Sequence, residues 1–337
     1  MAEVAELSGV SSSTVSHVLN GTRHVSGETR ERVERAVAEL GYRRNTAART
    51  LAGGRSHTIG LAISGLTNPY FGPLLHAIEQ RVSDADYVLV LGDTHDDAEM
   101  ERRVIESLLD RRVDGIIVAP SRGFIEHSAQ LIADADTPLV IIDRSIDLAC
   151  DQLAPENSES AATLTSHLIS HGHERIAAIG GLPGLASTSE RLEGYKLALE
   201  RAGVPLDPAM IVSGESNTDT AEAVVSELLE GPRPPTAILT LNNAMTIGAL
   251  RAARRRGLRI PADIALAAYD DFEWSDLFEP GLTAIAQNVT RLGHEAVDLL
   301  FARVAGDTRE HDVRVIPTTF QRRTSCGCPD TATKGTS

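Results

Sequence analysis

The chain has 337 residues, 42% of them hydrophobic, which suits globular cores and exceeds the length of one ordinary domain. No apolar run approaches the roughly 18 residues of a membrane span, and the amino terminus MAEVAEL lacks a secretory signal pattern, so the cytoplasm is the expected compartment and no membrane partner is expected. The net charge of −15 argues against a polyanionic partner only until its distribution is read.

Through residue 56 the chain holds eight arginines and six glutamates, a balance of +2 that leaves −17 for the remainder. A Debye length of about 8 Å screens a more distant acidic region from a contact made by this first segment. Residues 3–8 (EVAELS) predict a short helix with Val4, Ala5 and Leu7 inward, broken at Gly9, with Val10 as an apolar plug. Ser11 is a natural N-cap for a second helix running to Asn20, because its hydroxyl can accept from an unpaired backbone N–H. Val15, Val18 and Leu19 form that helix's apolar stripe, and Ser12, Ser13, Ser16 and His17 lie on the other side. Short polar side chains let a helix approach base edges in a major groove; a merely solvated amphipathic helix is the bland alternative. Ser26 then caps a third helix, Glu28 to Leu40, with Val33, Val37 and Leu40 at helical spacing and Gly41 as its stop. Three short helices with the second as reader make a helix-turn-helix unit.

From Thr58 the pattern changes to short branched runs alternating with amphipathic helices. TIGLAIS, YVLVLGD, GIIVAP and PLVIID read as buried parallel strands, and RIAAIGG, AMIVSG, TAILTLN and DIALAAYD form a second set. Helices are expected between them, among them Phe71–Ala85, Asp97–Arg111, Ala162–His171, Arg191–Ala202, Thr220–Leu229 and Met245–Arg256. The fold class is therefore α/β, with parallel sheets in two lobes behind a three-helix headpiece. Ligands of open α/β sheets sit beyond the carboxyl ends of strands. Polar or aromatic groups there are Asn68, Tyr70 and Phe71, Asp93, Asp143 and Arg144, Arg191, Asn242 and Asp270. Each has a bland counterpart: Asp143 capping a helix, Arg191 paired with Glu190 or Glu193, Asp270 bracing the loop after Tyr269. Trp274, the single tryptophan, is expected to stack on a ligand ring or to cover the cleft mouth.

Other chemistry finds little support. Cys150, Cys326 and Cys328 do not make a disulfide framework, and Cys326 and Cys328 fall in an expected frayed tail, without evident histidine partners. His167 and His171, four residues apart, share a helix face with His173 close by, but no metal is expected there. There is no G-x-S-x-G elbow, no P-loop and no G-x-G-x-x-G after the first strand, so neither an enzyme nor a cofactor is expected.

The string GVSSSTVSHVLNGTRHVSGETRERVERAVAELGYRRNTAARTLAGGRSHTIGLAISGLTNPYF resembles the lactose/galactose repressor (LacI/GalR) family, its headpiece closest to the purine-repressor branch. The likeness continues through HGHERIAAIGG, RLEGYKLAL, PTAILTLNNAMTIGALRAARRRGLRIPADIALAAYDD and LTAIAQN, nearly the whole chain. It implies that Ser12, Ser13 and His17 read bases and that Thr14, Ser16 and Asn20 lie close to DNA. It also implies a hinge helix at 45–54, with Asn45 contacting DNA and Leu51 wedging into the minor groove of double-stranded operator DNA. The domains expected are 1–43 for DNA binding, 44–56 for the hinge, 57–326 for effector binding and dimerisation, and 327–337 as a disordered tail. The large domain resembles the type I periplasmic-binding-protein fold, with lobes at about 57–155 plus 288–315, and 156–287 plus 316–326. By the same resemblance Arg191, Asn242 and Asp270 contact a small-molecule effector; Phe71, Asp143 and Arg144 are expected beside them from their places at strand ends.

Three departures from the family pattern bear on this reading. Arg44 stands where the hinge usually starts with proline. Helix one lacks its usual threonine cap, which places the true start upstream of Met1 and predicts fraying. Leu185, Ser187 and Ser216 replace the purine-binding arginine, threonine and aromatic of the purine branch, so a sugar or nucleoside suits the pocket better than a purine base. No leucine heptad follows residue 323, so a homodimer is expected. A ligand-responsive transcriptional repressor accounts for both modules. An effector-dependent activator is the near alternative, and a periplasmic sugar-binding protein would leave residues 1–54 without a use.

Overall fold

Three short helices make the first of two units, Met1–Ser56, in a computed structural model that describes residues 1–20, 23–42, 55–66 and 68–329, with Asn20 described by its backbone alone. Helix α1 (Ala2–Ser8) has no side-chain cap at its start and stops at Gly9, whose φ of 64° lies in the left-handed region glycine adopts readily. Its last carbonyls are held by Arg32, which donates to Ser8 O at 3.1 Å and to Gly9 O at 3.2 Å. Helix α2 (Ser12–Asn20) begins after Ser11, whose hydroxyl accepts from Thr14 N at 3.1 Å. Helix α3 (Gly27–Glu39) is capped in the same way by Ser26. Val4, Ala5, Val15, Val33 and Ala36 form the core, with Val10, Val18, Leu19, Val37 and Tyr42 packed around it. Leu7 and Leu40, expected inside, are 48% and 43% exposed. Both sit at helix ends, where a core this small has no second layer to cover them.

The second unit, His57–Ser337, holds two sheets. Lobe one contains β1 (Thr58–Ile63), α4 (Phe71–Ser83), β2 (Val88–Asp93), α5 (Ala98–Asp110), β3 (Gly115–Val118), a π-helical turn (Ile125–Ala129) running into α6 (Gln130–Asp134), β4 (Leu139–Ile142) and β5 (Asp151–Pro155). The chain then enters lobe two with α7 (Ser158–Ser170), β6 (Ile176–Gly180), α8 (Ala186–Ala202), β7 (Ile211–Ser213), α9 (Thr218–Glu230), β8 (Ala237–Thr240), α10 (Asn243–Arg255), β9 (Ala265–Tyr269) and β10 (Thr283–Gln287). It returns to lobe one for α11 (Val289–Val304) and β11 (Val313–Ile316), and ends in lobe two with β12 (Thr318–Gln321). The strand orders are β11-β5-β4-β3-β1-β2 and β12-β10-β9-β8-β6-β7. Among the described residues every pairing is parallel except β10 with β12. Parallel strands covered on both faces explain the runs of Val, Ile, Leu and Ala with near-zero exposure.

Several features differ from the sequence reading. Strand β5 (DQLAP) escapes a hydrophobicity pattern because its polar side chains are internally satisfied. Asp151 meets Arg303, and Gln152 exchanges hydrogen bonds with Ile146 and donates to Leu148. Helix α8 starts at Ala186, not near Arg191, through a Ser/Thr-rich stretch of low helix propensity. The expected tail is a correction: Cys326 is fully buried and Cys328 is 6% exposed, so the packed chain continues past 326. Trp274 is another, since it stacks on Phe272 at 4.5 Å and lies away from the strand-end cleft. Among the described residues no helix is long and apolar enough to cross a membrane.

Candidate functional site

Phe71, Asp143, Arg144, Arg191, Asn242 and Asp270 all line one cavity, although they come from separate stretches of the sequence. Strand ends bring them together. Asp143 and Arg144 follow β4, Asn242 follows β8, Asp270 follows β9, and Phe71 opens α4. Lobe one supplies Phe71, Asp143 and Arg144; lobe two supplies the other three. The inner chamber measures about 40 Å³. It adjoins an outer chamber of about 190 Å³ that shares Asn68, Phe71, Arg144, Ser216 and Asn242 and adds Asp96 and Asp219.

The polar groups form a buried network. Arg191 Nε donates to Asn157 Oδ1 at 2.8 Å, Nη1 donates to Leu241 O at 2.7 Å, and the guanidinium lies 3.7 Å above the Tyr269 ring. These contacts replace the pairing with Glu190 or Glu193; Glu190 instead accepts from Asn157 Nδ2 at 2.7 Å. Burial opposes the charge on Arg191, yet Tyr269, Asp270 and Asp143 hold its pKa above the ordinary value. Arg144 behaves alike: burial works against it, and Asp96 and Asp143 outweigh burial. It forms an ion pair with Asp96 and donates to Pro120 O at 2.9 Å.

Asp270 accepts from Gln287 Nε2 and, at 3.3 Å, from Asn243 N. Burial pushes its carboxyl above the usual carboxylate range, against the pull of Arg191 and Gln287. Asp143 does not cap a helix: its backbone N–H donates to Leu153 O at 2.9 Å, and its Oδ2 faces Arg144 Nε at 3.4 Å. Asn242 is the N-cap of α10, its Oδ1 accepting from Met245 N at 3.0 Å, which turns that oxygen to the helix and leaves the amide N–H groups to donate to a ligand. The Tyr70 hydroxyl is buried beside Asp143, and burial, then Asp143 and Asp270, raise its pKa.

Asp96 and Gln287 were missed by sequence reasoning. Asp96 lies three residues past β2, in a turn with no apolar signal, and Gln287 ends a strand whose sequence, TAIAQ, is short and weakly patterned. A larger cavity of about 650 Å³ lies elsewhere in lobe two, lined by Leu250, Leu258, Leu266, Trp274, Phe278 and Leu282 among others. It lacks the convergent buried charges of the cleft.

In the first unit, Ser12 and Ser13 are exposed, and Thr14, Ser16 and His17 are half-buried on α2. The Ser11 hydroxyl links to both Ser13 Oγ and Thr14 Oγ1 at 2.8 Å, which ties the start of the helix together. Asn45, Leu51 and the rest of the expected hinge through residue 54 lie outside the described residues, as does the Asn20 side chain.

Two family models match the chain: bacterial regulatory proteins of the lacI family over residues 1–45, and a periplasmic binding protein-like domain over residues 165–326. The HTH-type transcriptional repressor PurR of Vibrio atlanticus (strain LGP32) is 35% identical over 314 residues, covering 93% of each chain. Among solved structures, the lac repressor dimer bound to operator and the anti-inducer ONPF superposes with a TM-score of 0.85 at 30% identity, covering 96% of this chain and 97% of that one. The complex of the transcriptional regulator CelR with cellobiose gives a TM-score of 0.73 at 30% identity, covering 96% and 98%. With its headpiece helices, its two largely parallel sheets and relatives matched over nearly their full length, the chain belongs to the LacI family of bacterial regulatory proteins.

Proposed function

We propose that the chain is a dimeric transcriptional repressor that reads a pseudo-palindromic operator and is controlled by a neutral sugar in the interlobe cleft. The observation that carries the effector assignment is the convergence of Asp143, Arg144, Arg191, Asn242 and Asp270 with Phe71 on one buried cavity. Carboxylates and guanidinium groups supply acceptors and donors for vicinal hydroxyls, and an aromatic face suits the C–H side of a sugar ring. Asp96, Asp143 and Asp270 outnumber Arg144 and Arg191, which disfavours a phosphorylated ligand. Leu185 and Ser187 line the inner chamber and Ser216 both chambers, the positions where the purine branch carries its arginine, threonine and aromatic. Among the similar structures, the regulator CelR was solved with cellobiose.

A ligand held by residues of both lobes favours one lobe arrangement over another, and that preference is the control. Coupling of this kind typically amounts to about 1–3 kcal/mol between effector and DNA. The DNA-binding residues are Ser12, Ser13, Thr14, Ser16, His17, Asn20 and Asn45. Leu51 acts as the wedge, unstacking a base step at a cost of a few kcal/mol that contacts to the bent duplex offset.

Thermal shift against neutral sugars, sugar phosphates and nucleosides tests the effector assignment. A neutral sugar should raise the melting temperature, and Asp270→Ala should weaken its binding about 10–150-fold, the loss of a charged hydrogen bond. A purine base or sugar phosphate whose larger shift survives Asp270→Ala would overturn the reading. For DNA, Leu51→Ala should lose specific operator affinity and keep weak, salt-sensitive binding; unchanged specific affinity sinks the wedge.

A further inference from the structure

His167, His171, Cys326 and Cys328 meet on the far side of lobe two from sequence positions nearly half the chain apart, and all four donor atoms lie within 4.8 Å of one another. His167 Nε2 stands 3.1 Å from Cys326 Sγ and 3.4 Å from Cys328 Sγ, and His171 Nε2 stands 3.2 Å from Cys328 Sγ. In a tetrahedral zinc site with bonds of roughly 2.1 Å to nitrogen and 2.3 Å to sulfur, neighbouring N and S donors lie about 3.6 Å apart. The three short N–S spacings fall slightly below that value, and the whole set of four donors stays within 4.8 Å, a span one ion can gather with small side-chain shifts. A simple histidine–cysteine hydrogen bond needs one short contact, not three that link four donor groups.

The fold prepares this arrangement from both sides. His167 lies in the last turn of α7 and His171 is its C-cap, so the i, i+4 spacing puts both rings on one face; the rings are 4.8 Å apart. Gly327, between the cysteines, has φ +95°, a conformation L side chains rarely adopt, and it turns the Cys-Gly-Cys segment so that both thiols face α7. The segment is pinned upstream. Ser325 Oγ donates to Leu266 O at 2.7 Å and accepts from Thr283 N at 2.8 Å, and Ser325 N donates to Gly281 O at 2.9 Å. Thr283 Oγ1 also donates to Cys326 Sγ at 3.1 Å. The thiols are buried, His167 is half-buried and His171 is exposed, which leaves an approach from solvent on the His171 side.

We propose that these four residues bind one zinc ion that fastens the C-terminal segment to α7. Two thiols lose their protons to solvent, two neutral imidazoles and two thiolates donate lone pairs, and no electron is transferred. A divalent cation with two thiolates is neutral overall, which suits a site this buried. Four protein ligands leave no open position, so the ion is structural. It anchors the chain just after its last passage between the lobes, from β11 to β12.

The test uses the full chain, purified metal-free and kept reduced. Titration with Co²⁺ should give the charge-transfer and d–d bands of a tetrahedral thiolate site, saturating at one ion per chain and displaced by Zn²⁺. Zinc should also raise the melting temperature, and a chelator should reverse this. His171→Ala removes an exposed side chain that the core does not need, and it should weaken zinc by more than the about 10–100-fold that losing an outer-shell partner costs. Cys328→Ser should lose part of the charge-transfer band. His173→Ala is the control, because His173 bonds Thr236 at 3.0 Å instead and should change nothing. Absence of a tetrahedral cobalt spectrum in the reduced chain overturns the proposal, as does equal affinity in His171→Ala.

Discussion

The two lobes share one strand order and differ in how each fastens its outermost strand. The likeness reaches single residues. Asp143 follows β4 with φ 69°, and Asp270 follows β9, the equivalent strand, with φ 77°. The turns after β2 and β7 match too, with His95 and Asp96 at 53° and 54° and Glu215 and Ser216 at 53° and 52°. Left-handed backbone at non-glycine residues is uncommon and clusters at functional sites, and these turns carry Asp143, Asp270, Asp96 and Ser216 into the cleft chambers. The fasteners do not match. Lobe one holds β5, β11 and α11 with charge: Arg303 grips Asp151 at 2.7 and 2.9 Å, and Asp312 N donates to the same carboxylate at 2.8 Å. Lobe two has the histidine–cysteine cluster at the corresponding end. A repeated frame thus fixes where ligand-facing side chains stand, while the back of each lobe can be closed by unrelated chemistry.

Breaking the lobe-one fastener should give the largest effect. Asp151 is 1% exposed and Arg303 half-buried, so Asp151→Ala takes away the guanidinium's carboxylate partner, leaves it the carbonyls of Asp307, Arg309 and Glu310, and should cost about 3 kcal/mol in urea unfolding, the lower end of the range for breaking a buried pair. Burial alone would raise the Asp151 pKa, but Arg303 and the Asp312 N–H outweigh it and hold it below the usual carboxylate value. A lowered folded pKa contributes stability above the unfolded value and loses it as pH falls through the folded one. The native chain should therefore lose this part in acid below about pH 4, and Asp151→Ala should show a flatter acid arm. A loss under about 1 kcal/mol, well short of that range, would place the fastening elsewhere.

That ion pair also marks where the sequence stops being legible. Helix caps at Ser11 and Ser26, the apolar stripe of α2 and most parallel strands are local signals, carried by side-chain type and spacing. The six cleft residues could be picked out because strand ends are local too, and the family resemblance set three of them in register. Asp151 and Gln287 are polar in otherwise apolar surroundings, and their partners lie elsewhere in the chain, 152 residues away for Asp151 and Arg303 and 17 for Gln287 and Asp270. The cysteines near the carboxyl end read as a loose tail for the same reason, since the histidines they meet are 157–161 residues away. Pattern reading sees neighbours in sequence, and these groups have their neighbours only in space.

Close helix packing gives a middle-sized test of the lobe comparison. A Cβ at Gly194 in α8 would stand 2.0 Å from Ser158 O and 3.0 Å from Ala162 N, so α7 and α8 touch backbone to backbone. In lobe one a Cβ at Gly293 in α11 would meet Ala77 Cβ at 3.0 Å and Ile78 Cγ1 at 3.2 Å, where small shifts suffice. Gly194→Ala should fall at the upper end of the about 1–3 kcal/mol typical of overpacking, and Gly293→Ala at the lower end. Thermal unfolding of the pair decides it. Equal losses would mean that both lobes absorb the added methyl alike.

The smallest effect separates the two equivalent turns after β2 and β7. Asp97 caps α5 by accepting from Met100 N at 2.7 Å, and Asn217 caps α9 by accepting from Asp219 N at 2.9 Å and Thr220 N at 3.0 Å. Either change to alanine removes a cap and should cost about 0.5–2 kcal/mol. Only Asp97 adds a negative charge at the positive end of a helix dipole, worth about 0.3–1 kcal/mol at low ionic strength. Glu99 beside it is already bound to Arg102, so it does little to repel that charge. Asp97→Ala should therefore cost more than Asn217→Ala in dilute buffer, and the gap should close at molar salt. A gap that persists in high salt would trace the difference to hydrogen-bond geometry rather than charge, and the two turns would then be alike in shape but not in how they hold their helices.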